Sequence, residues 1–349
     1  MFTLKGTPEE IGEAYGKQYK REIFYNIKEL VNTEKIKLLL NDINFCNWIQ
    51  AQEKTFNNSW PWIINEMKSV ARTADISFEE ILMLNFRAWQ YDFAESERVS
   101  ECCSSFAITL KDGTVACAGA LDDPVQFYCG PIRFIPEKGN KFITFPITGT
   151  SWGNRGMNSK GLSIAISSQI LPGITKNTNS INQDLAIRII LQTCDTVNEV
   201  RKFCRKYSFN MNILCVDSNG EIFCAHQTTA GLYELPTDKF AVLTNHISDD
   251  EYIYYLSRKG LTKLSESSTT RFRRGNMLRF MREKNSKCEM EEILSFLEKT
   301  SEDDLGIINN KSTIYLTYNN PQKFKNYLWI KQPKSIEHNF LFEMHKIEE

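Results

Sequence analysis

A chain of 349 residues can bury a core of its own, as one large domain or two of ordinary size, so its cysteines need not serve as staples. Lysine and arginine total 42 against 43 acidic residues, a formal charge of −1 with no basic stripe, and nucleic acid is not an expected partner. The ten cysteines form no CxxC pair and no Cys/His cluster at zinc spacing, so they read as reduced thiols of a cytoplasmic protein. The first residues, MFTLKGTPEE, show no basic region followed by an apolar core. No uncharged apolar run approaches the ~18 residues of a membrane span, and no membrane partner is expected.

In chain order, the first hundred residues read as helices. Thr7, Pro8 and Glu10 supply an N-cap, a first helical position and a capping box, and Ile11, Tyr15, Tyr19, Ile23, Ile27 and Leu30 then repeat at helical spacing. A second box, Ser77 with Glu80, opens another helix, with Ile76 as its staple. At Cys103 the period changes. SSFAITL and TVACAGAL are short β-compatible runs joined across Asp112-Gly113, which suits a tight hairpin. Further strands are predicted at KFITFPIT, GLSIAISS, NILCVDS with EIFCAH across Asn219-Gly220, and FAVLTNH. A helical stretch runs through NQDLAIRIILQTCDTVNEVRKFCRKY, and a third helical region through TTRFRRGNMLRFMREK and MEEILSFLEKT. Hairpin-rich strands with helices between them predict an α+β fold, a four-layer αββα sandwich of two antiparallel sheets.

The stretch ECCSSFAITLKDGTVACAGALDD places a thiol pair at the mouth of a strand. Free cysteine is often only a small buried hydrophobe, but as a nucleophile it needs a base or a depressed pKa. The chain has four histidines, and Cys103 with His246 and Asn245 would repeat the residue types of a Cys-His-Asn hydrolase. A second solution needs no histidine. Cleavage of the peptide bond before a cysteine frees an α-amine of pKa ~8, which puts thiol and base on one residue.

These segments resemble the acyl-coenzyme A:6-aminopenicillanic acid acyltransferase family, a self-processing branch of the N-terminal nucleophile hydrolases related to choloylglycine hydrolases. The likeness runs from LKGTPEEIGEAYGKQ through CCSSFAITLKDGTVACAGALDD, GNRGMNSKGLSIAISS and NILCVDSNGEIFCAH to FAVLTNHIS and SSTTRFRRGNML. It implies that Cys103, ahead of Ser104 and Ser105, is the nucleophile, and that it cuts the Cys102–Cys103 bond by an N-to-S acyl shift and thioester hydrolysis. Residues 1–102 would then be a mainly helical propeptide retained as a small subunit, and 103–349 the catalytic large subunit. The resemblance further implies that Asp122 holds the α-ammonium and thiol geometry, that Asn245 donates to the oxyanion, and that Arg271 pairs with Asp122 or a substrate carboxylate. Asn158 matches a recurrent motif, although turn chemistry alone accounts for Gly156, Asn158 and Gly161. Ser168 stands where choloylglycine hydrolases keep an asparagine, and Gly119 where they keep an arginine.

The expected activity is therefore cleavage or transfer of an acyl group from an amide or thioester through acyl-Cys103, with a small-molecule or peptidyl acyl substrate. This chemistry requires no cofactor or metal. Two alternatives are an unprocessed cysteine hydrolase using Cys103 and His246, and a non-catalytic binding protein of the same fold.

Overall fold

The computed structural model describes residues 1–91, 103–122, 127–169, 180–249, 268–285, 287–297, 299, 307, 313–330 and 340–344. The chain divides into two compact units. The first is built from Met1–Phe93, Phe127–Asn154 and Gly173–Thr193, and the second from Ala94–Gln126, Arg155–Pro172 and Cys194–Glu349.

In the first unit both predicted capping boxes form. They open α1 (Pro8–Gln18) and α6 (Phe78–Asn85), with α2 (Lys20–Asn26), α3 (Glu34–Leu39), α4 (Ile43–Ser59) and α5 (Pro61–Ala74) between them. A Cβ at Gly12 would lie 2.3 Å from the Glu66 carbonyl oxygen, and one at Gly16 would lie 2.1 Å from Thr73 Oγ1. Glycine at these positions lets α1 lie directly on α5. The N-terminus is not wholly helical, because β1 (Phe2–Gly6) pairs in parallel with β4 (Ile132–Pro136), which pairs antiparallel with β5 (Phe142–Thr144). Five residues ahead of a strong helix start leave no periodicity to read, and only the distant partner strand makes them a strand. The unit closes with α7 (Gln183–Thr193), whose Arg188 ion-pairs with Glu66 at 2.9 Å in full burial.

The second unit has the four expected layers. One sheet has the order β6 (Gly156–Asn158), β7 (Ser163–Ser167), β8 (Met211–Val216), β9 (Ile222–Thr228), β10 (Gly231–Glu234). The other runs β11 (Phe240–Leu243), β2 (Ser104–Thr109), β3 (Val115–Asp122), β12 (Thr313–Asn320), β13 (Lys325–Ile330), β14 (Phe340–Met344). Their strand pairs are antiparallel. On the first sheet lies α8 (Val197–Lys206). Against the second pack α9 (Ser268–Lys284) and α10 (Met290–Leu297), through Met277, Met281, Ile293 and Phe296 onto Phe106, Ile108, Ala118 and Leu316.

The stretch predicted as continuous helix breaks into α7 and α8. Thr196 caps α8 by accepting from the Glu199 backbone N–H at 3.3 Å. Asn158 Nδ2 donates to the Cys194 carbonyl at 2.7 Å, outside either helix. Thr196 and Glu199 stand at capping-box spacing, so the break carries a sequence signal.

Strand alternation fixes what lies between the two sheets. Ala107, Val115, Ala165, Leu214, Val216, Ile222 and Cys224 form one apolar cluster there. Along the facing pairs Ser163↔Val216, Ala165↔Leu214 and Ser167↔Asn212, the layer turns polar toward the end where β2 begins.

Candidate active site

Cys103 immediately precedes β2 and is buried, at 4% exposure. Its Sγ lies 4.0 Å from the Asp122 carbonyl oxygen at the end of β3. Ser105, two residues on, faces the other sheet, where its Oγ is 3.2 Å from both the Ile166 carbonyl oxygen and Ser167 Oγ. The Asp122 carboxylate is buried and accepts a hydrogen bond from Thr313 Oγ1 of β12. Cys102 lies outside the described residues.

Asn245 follows β11 and is fully buried. Its backbone N–H donates to Thr270 Oγ1 at 3.0 Å, and its Nδ2 donates to the Ser168 carbonyl at 2.9 Å. Its Oδ1 accepts from Arg273 Nη2 at 3.1 Å. A guanidinium only donates, so this contact sets the orientation of the amide. One N–H of the side chain is spent on Ser168, and the amide carries a second.

Arg273 reaches the cysteine. It is 1% exposed, and its Nη1 donates to the Cys103 carbonyl and, at 2.7 Å, to Ser104 Oγ. Arg271 is exposed on the same helix. The two are neighbours in sequence but two residues apart on a helix, about 200° round the axis, so only one can face the sheet. A triplet of arginines offers no way to choose between them before the helix phase is known.

A further buried arginine carries no sequence signal. Arg155 Nη2 donates to three carbonyls, those of Ser104 (3.1 Å), Ala120 (2.8 Å) and Ile166 (2.7 Å), and so joins β2, β3 and β7. A Cβ at Gly119 would lie 2.7 Å from Arg155 Nη1 and 2.1 Å from the Ser104 carbonyl oxygen. The missing side chain at 119 thus leaves the space that this guanidinium enters from the bend just before β6.

Asn158 organises the β6–β7 hairpin. Its Oδ1 accepts from the backbone N–H groups of Lys160 and Leu162 at 3.1 and 3.0 Å, with Gly161 at φ +77°. His246 has its Nδ1 3.0 Å from Thr270 Oγ1 and 3.1 Å from Thr244 Oγ1. Burial, followed by the charges of Arg274, Arg271 and Arg273, holds its pKa down to about 4. Burial pushes the Cys117 thiol up to about 11 and raises Cys204, Cys215 and Cys224 as well, so these remain protonated core groups. Among the described residues no cluster of three or more His, Cys, Asp or Glu side chains is placed to hold a metal ion. No described helix is long and apolar enough to cross a membrane.

Among solved structures, the chain is similar to a mutant of conjugated bile acid hydrolase from Clostridium perfringens, at 14% identity and TM-score 0.49 over 70% of this chain and 92% of that one. It is similar to an N-acylethanolamine-hydrolyzing acid amidase ortholog from Caenorhabditis elegans, at 15% identity and TM-score 0.47 over 66% and 100%. It is also similar to penicillin V acylase from Agrobacterium tumefaciens, at 12% identity and TM-score 0.42 over 70% and 86%. No curated protein matched the chain. The family model described as acyl-coenzyme A:6-aminopenicillanic acid acyl-transferase matches residues 128–334. That stretch contains Asn158, Ser168, Asn245, His246, Arg271 and Arg273, and begins after Cys103 and Asp122. The match covers more than half of the chain, which therefore belongs to this acyl-transferase family.

Proposed function

We propose that the protein is an autoproteolytic cysteine amidohydrolase or acyltransferase that works through an acyl-Cys103 thioester. In maturation the Cys103 thiol attacks the Cys102 carbonyl. The peptide C–N bond is exchanged for a C–S bond, water hydrolyses the thioester, and the α-amine of Cys103 is released. In turnover that amine takes the thiol proton as sulfur adds to the substrate carbonyl, and returns it to the leaving group. Water then completes hydrolysis, or an amine acceptor completes transfer.

The observation that carries the proposal is the bridge that Arg273 makes between the Cys103 carbonyl and the Asn245 side chain. In this reading the second N–H of Asn245 donates to the developing oxyanion, the kind of donor whose loss costs ~10²–10³ in rate. Arg273 orients that amide and the Cys103 backbone together. Asp122, steadied by Thr313, holds the α-ammonium, and Arg155 ties down the carbonyl next in the chain. His246 supports the alternative of an unprocessed Cys–His enzyme poorly, because a base held down to about 4 is weak near neutral pH.

Peptide mass mapping after reaction with 4-nitrophenyl butyrate tests the proposal. A butyryl group on the peptide containing residue 103, lost in Cys103→Ala, is the expected result. Acylation elsewhere with residue 103 unmodified would overturn it.

A further inference from the structure

A polar network behind Asn245 has no part in the chemistry above. Asn212 of β8 is fully buried. Its Nδ2 donates to the Thr244 carbonyl at 2.6 Å and approaches the His246 carbonyl at 3.4 Å, so it holds the backbone on both sides of Asn245. Its Oδ1 lies 2.9 Å from Gln169 Nε2 and 2.6 Å from His226 Nδ1. Turning the amide round would set its oxygen against two carbonyl oxygens, so the orientation is unique, and His226 must carry its proton on Nδ1. His226 Nε2 agrees, since it accepts from the Ser248 backbone N–H at 3.2 Å. Burial, with the charges of His246 and Arg274 outweighing Asp249, pushes the His226 pKa down to about 3, which keeps the ring in this neutral form.

Both hydrogens and both acceptor sites of the Asn212 amide are therefore engaged. The chain runs from Ser248 and His226 through Asn212 to the carbonyls flanking Asn245. A core amide that only satisfied its neighbours would need no such placement. Here the two carbonyls it holds belong to the residues before and after the proposed oxyanion donor, while Thr270 Oγ1 holds that donor's own N–H.

We infer that Asn212 is a positioning residue that sets the place of the Asn245 side chain through the Thr244 and His246 carbonyls, and that His226 fixes the orientation of Asn212. This rests on the reading of Asn245 as oxyanion donor to acyl transfer at Cys103. It adds two residues that act through Asn245 and touch neither the thiol nor the acyl group.

The test separates oxyanion placement from thiol reactivity in the full-length protein. Acylation of Cys103 by 4-nitrophenyl butyrate passes through a tetrahedral oxyanion, and alkylation by iodoacetamide does not. Both rates are read at residue 103 by peptide mass mapping. In Asn212→Asp, which turns an oxygen toward the two carbonyls, and in His226→Leu, which removes the Nδ1–H donor, acylation is expected to fall about ten-fold or more. Alkylation should stay within about two-fold of wild type. His226→Asn, whose amide N–H stands near the Nδ1 position, should recover most of the acylation rate. The inference is overturned if the folded variants acylate at the wild-type rate, or if acylation and alkylation fall together. Absence of acylation at Cys103 in the wild type itself would overturn the nucleophile reading, and this inference with it.

Discussion

The two ends of the layer between the sheets are built from the same strands and do different work. At one end Leu214, Val216, Ile222 and Val115 close a dry core. At the other, the same strands present Ser167, Asn212, His226 and Ser105, all buried and all hydrogen-bonded. Two or three residues along a strand separate a position in the apolar core from one that hydrogen-bonds the backbone beside Asn245. The polar end carries the higher stakes, because every buried donor and acceptor there must keep its partner.

The sharpest way to separate the ends is to damage one at a time. Leu214→Ala, in the apolar end, should lower stability by about 2–5 kcal/mol through lost burial and an unfilled cavity. Activity per folded molecule should be kept, as checked by denaturant titration beside active-site counting. Arg273→Met, in the polar end, strips donors from the Cys103 carbonyl, Ser104 Oγ and Asn245 Oδ1 at once. Its acylation rate at Cys103 should fall about 100-fold or more.

The sequence showed the frame of this comparison well. Both capping boxes, the Asp112-Gly113 hairpin and the strand runs around Cys103 and Asn245 are local signals, and each appears where those signals place it. Less legible were features made by distant partners. β1 becomes a strand only through β4, and Arg155, in a bend, gains its role from carbonyls on three strands. The family resemblance pointed to Arg271, but the phase of α9 turns Arg273 inward. The Thr196–Glu199 pair is a local start signal inside a long helical period, and the helix restarts there.

Acid should also distinguish the ends. His226 is held neutral in the fold, so between pH ~6.5 and about 3 the unfolded chain binds a proton that the folded chain does not. Stability therefore falls as pH drops through that window, by up to about 1.4 kcal/mol per pH unit from this one group. In His226→Asn the acid limb of stability against pH should be shallower by that amount. An unchanged limb would mean that His226 does not stay neutral. The smallest effect belongs to Arg271→Met, an exposed change expected to move stability by less than about 0.5 kcal/mol. Its acylation rate should stay close to wild type, and a loss as large as that of Arg273→Met would reverse the assignment of the two arginines.

The central claim, that Cys103 is a self-releasing nucleophile, is tested most directly by intact mass under denaturing conditions. Freshly purified wild type is compared with Cys103→Ala and Cys102→Ala. Scaling 40.4 kDa by chain length, cleavage before Cys103 gives fragments of about 12 and about 29 kDa. Wild type and Cys102→Ala should give both fragments, and Cys103→Ala an uncut 40.4 kDa chain. A wild type that stays whole through long incubation, or a Cys103→Ala that still splits at that bond, would contradict the claim.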